Sequence, residues 1–363
     1  MKKLITVNLK NCRYKIVISQ SEDDFFTALK KIARSNILFI ITDKNVERLH
    51  LGRFASLLKQ SGYSVKTAAI STGESGKNIK NLSLLYDAAL KAGVDRDGCA
   101  IALGGGVVGD IAGFFAATYM RGIDFIQVPT TLLAMADSSI GGKTAANTTH
   151  GKNVAGVFYQ PKFVWANSSF LRTLPAKHMK NGLAEIIKYA FVFDRKFYNY
   201  LFDLLKNNRT VPHQNFDYMI KKSCLYKVGV VEKDEKEITG LRTVLNFGHT
   251  FAHALETETK YKRFLHGEAV AIGMLFAAKL SFRLKMCEMG TYQKVENLLR
   301  EAGFNLNISN DLEKLLLFMK KDKKTVNGNV KFVLIKDIGE TVSCYVKDSI
   351  ILSALKNFGK TNI

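Results

Sequence analysis

A carboxylate and two imidazoles, Glu185 in GLAEIIKYA, His249 in LNFGHTFAHALE and His266 in FLHGEAVAIGM, are side chains of the kind a catalytic divalent metal takes as ligands. Three protein ligands leave a fourth position open, so such a centre polarises an oxygen instead of stapling loops together. The apolar spacing of GLAEIIKYAFVF predicts a helix with Glu185 and Lys188, three residues apart, on one face. Asn246, His249 and His253, at i, i+3 and i+7, are expected to form one polar stripe on a second helix, among Leu245, Phe247, Phe251, Ala254 and Leu255. His266 precedes Gly267 and the helical run EAVAIGMLFAAKL, which puts it on the loop leading into a third helix. Any one of these histidines alone reads as a satisfied core residue; the other motifs turn them into a ligand set.

The second chemical feature is CAIALGGGVVGDIAGFFAATYMRG, an apolar strand running into Gly104, Gly105, Gly106, Gly109 and Asp110 and then into an apolar helix. Its GxGxxG spacing lets a pyrophosphate approach backbone N–H groups at a helix start, although tight strand-to-helix packing would use the same glycines. Upstream, NILFIITDKNV is another apolar strand ending at Asp43 and Asn45, groups suited to ribose hydroxyls, and TGESGK (72–77) adds a turn with a carboxylate and a cation. Polar loops that each follow an apolar run gather at the carboxyl edge of a parallel sheet. A third stretch, QVPTTLLAMADSSIGGKTAANTTHGKN (127–153), is dense in hydroxyls and ammonium groups and suits an anionic, polyhydroxylated ligand, a sugar phosphate by its chemistry.

The elements expected to position these groups fall into two parts. Residues 1–174 alternate apolar strand runs with helical ones, an α/β pattern. Residues 175–363 read mainly as amphipathic helices, with one late hairpin at VNGNVKFVLI turning at Asn327 and Gly328. The expected fold is therefore α/β: an N-terminal Rossmann-like nucleotide-binding domain and a mainly α-helical, metal-binding C-terminal domain.

Composition excludes other classes. A formal net charge of +21 invites nucleic acid, but the lysines are spread from Lys2 to Lys360 and no helix-turn-helix, RNA-recognition or zinc-finger pattern occurs. A basic surface that steers anions inward is the expectation, with no nucleic-acid partner. The longest apolar candidate, Ala100–Met120, holds Asp110 and five glycines, which excludes a spanning helix, and MKKLITVNLKN lacks the apolar core of a signal peptide. Five cysteines at 12, 99, 224, 287 and 344 form no CxxC pair, which suits a reducing cytoplasm.

Taken in order, GGGVVGDIAGFFAATYMRGIDFIQVPTTLLA, DSSIGGKTA, GKNVAGVFYQP, GLAEIIKYA, LNFGHTF and HGEAVAIGM make the chain resemble the 3-dehydroquinate synthase family over nearly all of its 363 residues. The resemblance implies a metal- and NAD-dependent lyase that converts 3-deoxy-D-arabino-heptulosonate 7-phosphate into 3-dehydroquinate and phosphate, in the shikimate route to aromatic amino acids. It implies transient oxidation by NAD, phosphate elimination, reduction and intramolecular aldol closure, with no net redox change. The implied metal ligands are Glu185, His249 and His266, for zinc or cobalt. The implied NAD site comprises Asp43 and Asn45; Thr72, Gly73, Glu74, Ser75, Gly76 and Lys77; Gly106, Val107, Val108, Gly109 and Asp110; Thr130 and Thr131; Lys143 and Lys152; and Phe170, Leu171, Arg172 and Thr173. The implied substrate and catalytic groups are Asp137, Lys143, Asn153, Lys188, Lys227, Arg242, Asn246 and His253, with Lys323 and Lys324 as further candidates. A homodimer is implied too, with Arg121 reaching a neighbouring subunit's phosphate.

The chain departs from the family pattern at Asn167, Lys177, His178 and Ala252, at Thr148, Thr149 and His150 before GKN, and by one extra residue in DEKEITGLR between Lys227 and Arg242. His150 reads as an ordinary surface residue. Three alternatives stay open on the residues: another sugar phosphate cyclase, a metal-dependent polyol dehydrogenase, and a basic binding protein without turnover.

Overall fold

Strands whose residues are apolar at every position bury both faces, and the N-terminal half is built on such strands. In β3 (Ile37–Asp43) Leu38 and Ile40 join one apolar cluster while Phe39 and Ile41 join another; in β5 (Cys99–Gly104) Cys99, Ile101 and Leu103 side with the first and Ala100 and Ala102 with the second. The period of two thus makes two cores, one on each side of a single sheet. Phe25, Phe54 and Trp165 fill the first; Leu85, Ile111 and Phe115 fill the second.

The computed structural model describes residues 2–208, 210–308, 311–321, 325–326, 329–356 and 358. They divide into two compact units, Met1–Met179 with Phe216–Lys236, and Lys180–Asn215 with Glu237–Ile363. The sheet of the first unit adds β1 (Lys3–Asn8), β2 (Arg13–Ile18), β4 (Ser64–Ile70), β6 (Asp124–Pro129) and, beyond β7 (Lys143–Thr148) and β8 (Gly151–Phe158), β9 (Phe163–Ala166). Its order is β1-β2-β9-β6-β5-β3-β4. β1 lies antiparallel to β2 and all other neighbours are parallel, so the loops after β3, β4, β5, β6 and β9 open on one edge. β7 and β8 pair separately as an antiparallel ribbon with His150 in its exposed turn. The helix Phe216–Val231, late in sequence, packs in this unit on β1, β2 and the turn Ala134–Ser138.

The second unit is mainly helical, with helices Arg195–Asn207, His249–Glu258, His266–Arg283, Met289–Glu301 and Asp348–Lys356, and most of Ala176–Phe193. A three-stranded antiparallel sheet, β10 (Thr325–Val326), β11 (Asn329–Asp337) and β12 (Glu340–Val346), covers the helices, with Phe251, Phe276 and Phe332 in its core. The expected α/β region followed by a largely helical one is therefore observed. Asn327 and Gly328, expected to turn the hairpin, and Lys323 and Lys324 lie outside the described residues. No helix among the described residues is long and apolar enough to cross a membrane.

Candidate active site

In the first unit the glycine loop joins the end of a strand to the start of a helix. β5 ends at Gly104 and the helix Gly106–Thr118 begins two residues later. The first main-chain bond of that helix runs from Gly109 N–H to Gly105 O at 3.0 Å. The N–H groups of Gly106, Val107 and Val108 therefore have no intrahelical acceptor, the arrangement that receives a pyrophosphate. Space is tight: a Cβ on Gly106 would stand 2.9 Å from Ser138 Oγ, and one on Gly105 3.0 Å from Thr131 Cγ2.

The neighbouring loops bring the polar groups together. Lys77, which is buried, contacts both Asp110 Oδ2 and Asn153 Oδ1, joining three segments of the sequence. Burial raises the Asp110 carboxyl above its usual range, against the opposing pull of the Lys77 ammonium. Lys227 on the returning helix donates to Asp137 O at 2.8 Å and pairs with Asp137 Oδ1 at 2.9 Å. Asp110, Asp137, Lys143, Asn153 and Lys227 line a cavity of about 500 Å³, the size of a small-molecule site. Lys152 stands on β8, 4.0 Å from Glu74 Oε1.

Other expected contributors are placed around the same sheet edge. Asp43 accepts from Asn45 N–H at 2.8 Å and Val46 N–H at 3.2 Å, capping the turn after β3. Thr130 follows β6 and donates its N–H to Gly104 O at 2.9 Å, and Thr131 Oγ1 accepts from Ala134 N–H at 3.2 Å. Phe170–Thr173 belong to the 3₁₀ turn Ser168–Thr173 after β9, capped by Asn167, whose Oδ1 accepts from Ser169 N–H. His50, unremarked in the sequence, packs edge-on to Phe170 and reaches Thr173 Oγ1 at 2.9 Å. Arg121 is exposed, in a left-handed turn with φ 66°.

In the second unit Glu185, His249 and His266 converge, one ligand atom of each lying within 4.8 Å of the others. His249 Nε2 and His266 Nε2 each stop 3.4 Å from Glu185 Oε1. That is too long for a good hydrogen bond, and both Glu185 oxygens, though buried, have none. Two ligand atoms held at 2.1 Å from one tetrahedral ion stand about 3.4 Å apart, so the spacing and the chemistry of the donor set both fit a divalent metal. Lys188 Nζ makes a close ionic contact with Glu185 Oε2, the i, i+3 pair expected from sequence.

Each imidazole is oriented through its other nitrogen. His249 Nδ1 lies 3.3 Å from Phe247 O and His266 Nδ1 lies 3.2 Å from Glu256 Oε1. Glu256 was missed by sequence reading, although it continues the stripe of His249 and His253. Electrostatics differ sharply across the triad. Burial works against ionisation of Glu185, but Lys188 and His249 hold its carboxyl well below the usual range. Burial pushes His249 down to about 4, whereas for His266 the adjoining carboxylates of Glu185 and Glu256 overcome burial and lift it to about 10.

Two local expectations need correction. Asn246 does not share a helix with His249: it ends the 3₁₀ turn Leu241–Asn246, and Gly248, at φ 83°, breaks the path before the helix starts at His249. His266 is not on a loop but is the first residue of its helix. Gly248 is fixed by contact as well as conformation, since a Cβ there would meet Met274 N at 2.7 Å, and one on Gly273 would meet Gly248 O at 2.0 Å. His253 packs its ring edge-on to that of His249, the centroids 5.7 Å apart, and Arg242 is buried with Nε 3.4 Å from Glu237 Oε1.

Residues 67–181 match the family model for the 3-dehydroquinate synthase N-terminal region and residues 182–325 match that for its C-terminal region. The 3-dehydroquinate synthase of Endomicrobium trichonymphae is 68% identical over 360 residues, covering 99% of both chains. Among solved structures, 2-epi-5-epi-valiolone synthase from Streptomyces hygroscopicus subsp. jinggangensis 5008, with NAD+ and Zn2+ bound, is 26% identical with a TM-score of 0.85, over 96% of this chain and 97% of that one. A 2-deoxy-scyllo-inosose synthase complexed with carbaglucose-6-phosphate, NAD+ and Co2+ shares the fold, with a TM-score of 0.89 at 23% identity over 98% of this chain and all of that one.

Proposed function

The chain belongs to the 3-dehydroquinate synthase family, and we propose on that premise that Glu185, His249 and His266 hold the divalent metal its chemistry requires. The reaction is the conversion of 3-deoxy-D-arabino-heptulosonate 7-phosphate into 3-dehydroquinate and phosphate, a lyase step of the shikimate pathway that depends on NAD and a metal. The observation that carries the metal assignment is the pair of 3.4 Å gaps between two imidazole nitrogens and one buried carboxylate oxygen. When bound, the nicotinamide supplies reversible hydride transfer and the metal supplies polarisation of the substrate's oxygens. We assign zinc, with cobalt able to replace it, because two imidazoles and a carboxylate suit either ion.

The remaining roles are carried over from the family resemblance and are consistent with the chemistry of the side chains. The N–H groups at Gly106–Val108 receive the pyrophosphate of NAD, with Asp43 and Asn45 at the ribose, and the loops Thr72–Lys77, Thr130–Thr131 and Phe170–Thr173 complete its site with Gly109, Asp110, Lys143 and Lys152. Lys143, Lys152, Asn153 and Arg242 bind the anionic groups of the substrate through charge-assisted hydrogen bonds. Asp137, Lys227 and Asn246 orient its hydroxyls. Lys188 and His253 hold or pass protons at Nζ and at the imidazole nitrogens. The protein acts in the cytoplasm as a homodimer, in which Arg121 reaches the phosphate bound by the neighbouring subunit.

The test is incubation with the heptulosonate phosphate and NAD in catalytic amount, following phosphate, dehydroquinate and nicotinamide absorbance together. Phosphate and dehydroquinate appear in equal amounts over many turnovers with no net rise in NADH. One NADH accumulated per product would instead identify a polyol dehydrogenase.

A further inference from the structure

We propose that Glu256 is a positioning residue for the metal centre, accepting the Nδ1 proton of His266 and thereby leaving Nε2 to face the metal. The inference rests on the reading of Glu185, His249 and His266 as metal ligands. The His266 ring bridges two carboxylates, with Nδ1 3.2 Å from Glu256 Oε1 and Nε2 3.4 Å from Glu185 Oε1. An ionised carboxylate only accepts, so the proton between Nδ1 and Glu256 belongs to the imidazole. That bond fixes both the tautomer and the rotation of the ring, and a carboxylate acceptor makes the ligating nitrogen a stronger donor to a metal.

The two imidazoles are secured differently. His249 Nδ1 faces its own chain, 3.3 Å from Phe247 O, an acceptor no substitution removes. His266 depends on a side chain. Its backbone is anchored separately, by Gly267 N–H donating to Asn181 Oδ1 at 2.5 Å, one turn before Glu185 on the same helix. Asn181 therefore sets where His266 starts, and Glu256 sets how its ring turns. Glu256 stands seven residues after His249 on one helix, so that helix supplies a ligand and, two turns later, the support of another ligand. Its side chain is only 10% exposed, which a solubilising surface glutamate would not be.

The experiment compares the parent chain with Glu256→Leu and Glu256→Gln, measuring the zinc dissociation constant against a chromophoric chelator and the His266 Nδ1–H resonance in zinc-loaded, ¹⁵N-histidine-labelled protein. Glu256→Leu should weaken zinc about 10- to 100-fold and lose the protected resonance. Glu256→Gln keeps an acceptor oxygen and should lose less, about three- to tenfold, with the resonance shifted. Zinc bound by Glu256→Leu within twofold of the parent would overturn the role of Glu256 while leaving the metal site intact. Should that variant not fold, a Glu256→Gln protein with unchanged affinity and an unmoved resonance does the same. A parent chain that binds no zinc overturns the metal reading itself and this inference with it.

Discussion

Filling the metal site at neutral pH should release one proton, and the protonation states of the triad say which. In the metal-free protein Glu185 is held well below its usual range and is ionised, while His249, pushed down to about 4, is neutral. His266, lifted to about 10, is charged. Ligation needs all three donor atoms unprotonated, so the proton leaves His266 Nε2. From about pH 5 to about pH 9 apparent affinity should therefore rise about tenfold per pH unit. At pH 7, below the His266 value, that protonation competes with the metal and weakens its apparent binding. Below pH 4 His249 protonates as well and the slope steepens toward two. Calorimetric zinc titrations in buffers of different ionisation enthalpy give the proton count, and chelator competition at pH 6, 7 and 8 gives the slope. The count is best read at pH 6, where water on a bound zinc keeps its protons. No proton released at pH 6 together with affinity flat from pH 6 to 8 would refute the assigned charges.

Other outcomes follow from the same geometry. His266→Ala should lose bound metal and reduce turnover at least about a hundredfold with its circular dichroism retained, because it opens the ligand shell; full turnover in a metal-free variant would remove the metal from the chemistry. Gly106→Val, whose Cβ alone would stand 2.9 Å from Ser138 Oγ, should abolish calorimetric NAD binding while zinc affinity holds. Gly273→Ala drives a methyl to 2.0 Å from Gly248 O, so the chain should be destabilised by about 1–3 kcal/mol in urea titration and bind metal more weakly. Lys188→Ala, which strips Glu185 of its buried cation, should slow phosphate release far more than it weakens NAD binding.

Much of this fold is legible in the amino-acid sequence. Fully apolar runs such as NILFII and CAIAL bury both faces of a strand, and the polar loops that follow them gather on one edge because parallel strands share a direction. The triad was readable because metal ligands are chemically distinctive. What escaped was decided by tertiary contact. The spacing of Asn246, His249 and His253 fits a helix, but the close approach of Gly273 to Gly248 leaves room for a left-handed residue between them. Glu256 sits in the polar run ETETK, which reads as a solvated helix end until His266 folds against it. The ribbon of β7 and β8 lacks an apolar alternation because only part of it is covered, Lys143, Lys152 and Val154 all being exposed. Nor does anything in FDYMIKKSCLYKVGVV announce which unit buries it.

That helix, Phe216–Val231, bears on the order in which the protein can be made. The first unit needs residues up to Lys236, yet residues 180–215 of the other unit are translated in between. A ribosome adding about 5–20 residues per second takes about 3–11 s to pass from Met179 to Lys236. For most of that interval Asp137 lacks the Lys227 ammonium, and Met135 O the Cys224 thiol. A nascent chain ending near Met179 thus has its nucleotide loops and every strand of its sheet but not the helix that packs on them. Stalled or prematurely terminated chains of that length should be captured by chaperones, whereas chains reaching residue 236 should acquire protease resistance in the first unit.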